Sequence, residues 1–173
     1  MSKAILGKLA AFAAAVGVSV AVLVAPASPA SAASYSFIGE YSNTCIDVPQ
    51  GGTTVVNTQQ CAIGSTAQDF SMVRNGGTTS QPIYILRNVA RGTCLDVNGT
   101  LAFPAAKACN SASLDQRWER FTNSNGSKTF KSWGAWANRR AHVCLTNETQ
   151  FDQGWLRKAT CNAANARHQW DQY

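Results

Sequence analysis

The sequence predicts an all-β domain of three pseudo-symmetric repeats, each of about four short strands. Three observations carry this prediction. Six cysteines fall into three pairs at near-equal spacing, and a Cys-centred pentad recurs in the same phase. No segment beyond residue 32 sustains a helical apolar period over three turns, and the nearest rival, "NAANARHQW" at 162–170, has no apolar stripe.

The chain opens with Lys3 and Lys8, an apolar run at 9–24, and a small-residue stretch containing Ala30-Ser31-Ala32. A basic start, an apolar middle and an A-x-A exit describe a secretory signal peptide over residues 1–32. The 16-residue run is short of the ~20 residues that span a bilayer, so no membrane span is expected. The expected location is extracellular, on a bacterial type of leader.

Residues 33–173 then form one domain long enough to bury a core. They hold thirteen basic and nine acidic groups, a net charge of +4 concentrated in 111–173. That is too little for a nucleic-acid partner in an exported chain. The basic cluster Arg139-Arg140 with Arg157-Lys158 suits an acidic polysaccharide or protein, or simply a solvated surface.

Thr44-Cys45-Ile46-Asp47-Val48 and Thr93-Cys94-Leu95-Asp96-Val97 are near copies, and Val143-Cys144-Leu145-Thr146-Asn147 is a weaker third. The first cysteines are 49 and 50 residues apart and the second 48 and 52. A period of this kind marks an internal repeat, here about 35–80, 81–128 and 129–173. Eight residues before each first cysteine stands Phe37, Leu86 or Trp136. After each second cysteine come Gln68-Asp69-Phe70, Gln116-Arg117-Trp118 and a contracted Gln169-Trp170. The Phe37/Leu86/Trp136 and Phe70/Trp118/Trp170 sets are the expected core triplets, and each Gln is a candidate to satisfy a turn backbone.

"TTVVNT" (53–58), "PIYILRNV" (82–89) and "KTFKSW" (128–133) read as strands bounded by Gly/Asn/Ser turns. Three such units, each too small to bury its own face, share one core around a pseudo-threefold axis in a β-trefoil. Exported cysteines in even number read as disulfides, with no Cys-x-x-Cys or Cys/His cluster to suggest a metal or cofactor. Of fifteen connectivities, the threefold phase selects Cys45–Cys61, Cys94–Cys109 and Cys144–Cys161, each worth ~3 kcal/mol.

The threefold C-[IL]-D-V … C … Q-x-W pattern resembles the ricin-type β-trefoil lectin family across the whole of 33–173. The resemblance implies a secreted, monomeric, non-catalytic carbohydrate-binding module for galactose- or xylose-containing sugars. In that family each repeat supplies an Asp two after the first cysteine, an aromatic two before the second, and an Asn before the Gln. Repeat one has Asp47, with Gln59 at the aromatic place, Ala67 at the Asn place, and the amide Asn57 four before Cys61. Repeat two has Asp96, with Lys107 at the aromatic place and Asp115 before Gln116. Repeat three has Thr146, Ala159 and His168, which reads as a lost site. The candidates are therefore Asp47, Asn57 and Gln59, then Asp96, Asp115 and Gln116.

Each Asp serves a turn equally well by accepting backbone N–H bonds. Phe103 and Trp155, both six before a second cysteine, are candidate substitutes for the missing aromatic, and Trp133 is unassigned. The two histidines of the domain, His142 and His168, belong to no hydrolase or metalloprotease motif, so no catalytic residue is expected. The competing reading is a trefoil with decayed sugar positions acting as a protein-interaction or inhibitor module.

Overall fold

The computed structural model describes residues 33–50, 54–97, 99, 101–134, 143–148 and 153–173. The expected leader, Trp136, Arg139, Arg140 and His142 lie outside the described residues. Repeat one contains β1 (Ser34–Gly39), β2 (Thr44–Asp47), β3 (Asn57–Gln60) and β4 (Asp69–Gly77). Repeat two contains β5 (Pro82–Asn88), β6 (Cys94–Asp96), β7 (Ala105–Lys107) and β8 (Trp118–Thr122). Repeat three contains β9 (Lys128–Ser132), β10 (Val143–Asn147), β11 (Gln153–Thr160) and β12 (Trp170–Gln172).

The first and last strands of each repeat close a six-stranded antiparallel barrel, in the order β1, β4, β5, β8, β9, β12 and back to β1. Closure leaves no free edge in the barrel. The middle strands pair as hairpins β2–β3, β6–β7 and β10–β11. This is the β-trefoil that the repeat predicts. Gly77 (φ 74°) shows why a glycine ends β4: a Cβ there would collide with the Gln81 carbonyl oxygen.

Each hairpin leaves the barrel at one register point, Ile38↔Cys45, Arg87↔Cys94 and Lys131↔Cys144. These points establish the residue correspondence between repeats, and they change one core triplet. Phe37 and Leu86 precede the paired residue, so their counterpart in repeat three is Phe130, fourteen rather than eight residues before Cys144. The longer connection in repeat three displaced the spacing that pointed to Trp136. Phe37, Leu86 and Phe130 are all fully buried, and the Phe37 and Phe130 rings meet edge-on at 4.9 Å.

The second triplet stands as expected, with Phe70, Trp118 and Trp170 buried together. The indole N–H of Trp118 donates to Leu95 O at 2.9 Å and that of Trp170 to Leu145 O at 3.4 Å. A buried indole thus joins the Q-x-W end of a repeat to its hairpin without an unmet donor. Ile46, Leu95 and Leu145, one after each first cysteine, fill the layer between. The three disulfides are Cys45–Cys61, Cys94–Cys109 and Cys144–Cys161, as the phase of the repeat requires.

Candidate functional site

The outer face of each hairpin begins at a disulfide. Cys45 stands opposite Gln59, Cys94 opposite Lys107 and Cys144 opposite Ala159. The position that the family fills with an aromatic is therefore non-aromatic in all three repeats, and it lies directly beside the disulfide. Asp47, Asp96 and Thr146 come two residues further along the same face.

Cross-strand neighbours share a face, so the register reads out each site as a row. In repeat one Asp47 pairs with Asn57, and Asn57 pairs on its other side with Trp155 of β11. In repeat two Asp96 pairs with Ala105, which bridges to Val55. In repeat three Thr146 pairs with Arg157, whose guanidinium lies 5.0 Å from the Phe103 ring. Val55, Phe103 and Trp155 are thus equivalent positions, and each completes the row of the neighbouring repeat. Only repeat one combines a carboxylate, an amide and a tryptophan.

Asp47 is 7% exposed and takes a hydrogen bond from the Gln68 amide. Burial pushes its carboxyl above the ordinary carboxylate range, against the downward pull of that bond and of the Arg91 charge. The amide oxygen of Asn57 is buried with no hydrogen-bond partner, an acceptor that a hydroxyl placed here would satisfy. Trp155 remains 53% exposed although its ring packs 5.2 Å from Phe103. Gln59 is half-buried beside this row.

Asp96 is in a different state. Lys107 Nζ lies 3.0 Å from its Oδ1, and the Gln116 amide lies 3.4 Å from its Oδ2. Both carboxylate oxygens are already engaged from within the chain. Asp115 sits on the short 3-10 turn Leu114–Gln116, its backbone oxygen accepting from Val97 N–H and its carboxylate packed against Gly134. It is therefore held against the start of repeat three, and Trp133 is half-buried there, its backbone N–H donating to Arg117 O.

The glutamines have a plain structural task. Gln68 accepts from Ala62 N–H at 2.8 Å and donates to Gln60 O at 3.0 Å, straddling Cys61. Gln116 does the same around Cys109, with Asn110 N–H at 2.8 Å and Ala108 O at 2.9 Å. In repeat three the expected Gln169 does not take this role, since its amide reaches Ala163 O. His168 takes it, with Nδ1 3.0 Å from Asn162 N. His168 therefore occupies the Gln place rather than the Asn place, and the repeat is not contracted. An imidazole nitrogen and an amide oxygen accept the same N–H, which is why the substitution escapes a search for Gln.

A family model described as a ricin-type beta-trefoil lectin domain-like module matches residues 23–108. Among solved structures, the chain is similar to the designed threefold-symmetric protein ThreeFoil, at 15% identity over 80% of this chain and 96% of that one, with a TM-score of 0.67. A Polyporus squamosus lectin is similar at 16% identity over 80% of this chain and 48% of that one, TM-score 0.63. The BEL beta-trefoil is similar at 14% identity over 85% of this chain and 96% of that one, TM-score 0.64. No curated protein sequence matches.

The fold defines a disulfide-stitched β-trefoil. Over residues 23–108 the chain resembles the ricin-type β-trefoil lectin domain-like family, and its fold is that of solved β-trefoils.

Proposed function

We propose that this chain is an exported carbohydrate-binding module whose working sugar site lies in repeat one. One observation carries the reading, the row Asp47–Asn57–Trp155 across β2, β3 and β11. Asp47 accepts hydrogen bonds from adjacent sugar hydroxyls, Asn57 takes a further hydroxyl, and Trp155 covers the apolar face of the ring. The tryptophan replaces the aromatic that Gln59 displaced. Repeat two is a poorer site, because Lys107 competes with any sugar hydroxyl for Asp96. Export is supported by the layout of residues 1–32 and by the three disulfides.

The test is retention of the 33–173 domain on insoluble polysaccharides, with soluble galactosides or xylosides as competitors and a salt series. Retention that a neutral sugar displaces and salt leaves intact is expected. Retention that disappears with salt alone would replace the sugar site by a charged surface. No retention on any polysaccharide would favour the protein-binding trefoil.

A further inference from the structure

Repeat three lacks the family's Asp, yet it has a polar cleft of about 570 Å³ in the corresponding place, lined by Thr146, Glu148, Asn162, Arg167 and His168 among others. Where repeats one and two carry a carboxylate, the Thr146 hydroxyl turns back to the Cys144 carbonyl at 3.4 Å. The carboxylate at position 146 is gone, and the remaining carboxylate of the cleft, Glu148, is paired with Arg157.

Arg167 lines the cleft and is held in place by Tyr41. Its Cζ lies 4.6 Å from the Tyr41 ring and its Nη2 donates to the Tyr41 hydroxyl at 3.2 Å. That bond uses one of the five N–H donors of a guanidinium and pre-positions the rest. Arg157 is the direct cross-strand neighbour of Thr146, and its Nε lies 3.0 Å from Glu148 Oε2. Glu148 on the cleft wall is thus neutralised by Arg157, which leaves the Arg167 guanidinium to set the charge of the cleft. His168, buried against Asn162, adds no opposing negative charge.

We infer that the repeat-three cleft binds the carboxylate of an acidic saccharide, a uronic-acid residue, through Arg167, with Arg157 holding the Glu148 carboxylate. A planar guanidinium matches a carboxylate in a two-bond fork, and Asn162 and Thr160 on the cleft wall serve the ring hydroxyls. An Asp at position 146 would repel this ligand, so the exchange to Thr that removes a neutral-sugar contact also admits an anion. The inference does not depend on the site proposed in repeat one.

The experiment titrates the 33–173 domain with galacturonate and, separately, galactose, following amide resonances at 50 and 500 mM salt. Galacturonate is expected to shift resonances around Thr146, Asn162 and Arg167. Arg167→Gln should weaken it by about tenfold while leaving galactose affinity unchanged. Thr146→Asp, which installs the residue that the other two repeats carry and fold with, should weaken galacturonate at least as much. Unchanged galacturonate affinity in both variants would overturn the inference. So would the absence of galacturonate binding, or binding that vanishes at 500 mM salt with shifts spread over the basic surface. Loss of galactose binding alone would count against the repeat-one site and leave this one standing.

Discussion

Repeats one and two start from almost the same pentad and put an Asp on the same face of the same hairpin, yet the two carboxylates end in different states. Asp96 is engaged by Lys107 and Gln116, while Asp47 is buried beside Gln68 with its carboxyl displaced upward by desolvation. The difference comes from the neighbouring strands. Lys107 faces Cys94 where Gln59 faces Cys45, and Trp155 completes the row that Val55 completes in repeat two. A shared motif therefore specifies the position of a carboxylate, and the cross-strand partners decide what remains for a ligand.

The comparison presumes a common framework, so the largest expected effect tests that framework. Phe130→Ala should cost ~3–5 kcal/mol, comparable with Phe37→Ala, because both leave a ring-sized cavity in one core layer. Thermal and denaturant melts of the two variants, with Trp136→Ala alongside, check this. An intact melt for Phe130→Ala would remove the register on which every row depends.

The next effect separates the two carboxylates. Asp47→Asn should reduce sugar affinity tenfold or more, from loss of charge-assisted hydrogen bonds worth ~1.5–3 kcal/mol. Asp96→Asn should leave affinity close to that of the parent, as read by calorimetric titration. Stability should diverge in the opposite sense. Burial raises the Asp47 pKa above its ordinary 3.8, so the folded chain holds that proton more tightly than the unfolded chain. Stability then falls as pH rises from about 3.8 through the raised value. Asp47→Asn should accordingly melt no lower than the parent at pH 7, and a sharp fall in its melting temperature would assign Asp47 a structural task instead.

Trp155→Ala should weaken sugar binding by several-fold to tenfold, since an aromatic face adds ~0.5–1.5 kcal/mol beyond its buried area. Quenching of tryptophan fluorescence by sugar should disappear with it. Val55→Ala, at the equivalent place in repeat two, should change neither reading.

The smallest effect concerns the clamp in repeat three. Burial lowers the His168 pKa below 6.5 more than the Asn162 carbonyl, which accepts from Nδ1 when it is protonated, raises it. The unfolded chain then binds the proton more readily, so stability present above about pH 6.5 declines as pH falls toward the lowered value. Melts between pH 7.5 and 5 should show this decline, and His168→Gln, which restores the residue of the other repeats, should flatten it.

Much of this is legible in the sequence. Three cysteine pairs in phase, a recurring pentad and recurring aromatics specify an all-β threefold unit and its disulfides, because local spacing sets which residues of one repeat meet. Asp47 and Asn57 were readable for the same reason, lying on adjacent strands of one hairpin. Phe130 was hidden by the longer connection before Cys144, and His168 by an imidazole accepting the N–H that Gln accepts elsewhere. Trp155 and Asp47 are more than a hundred residues apart in sequence, and no local pattern joins them. Only closure of the trefoil lays β11 beside β3 and sets them on either side of Asn57. The chain's own text determined its repeats, one of its two core triplets and its disulfides, while the packing of one repeat against the next decided which carboxylate shares its row with a tryptophan.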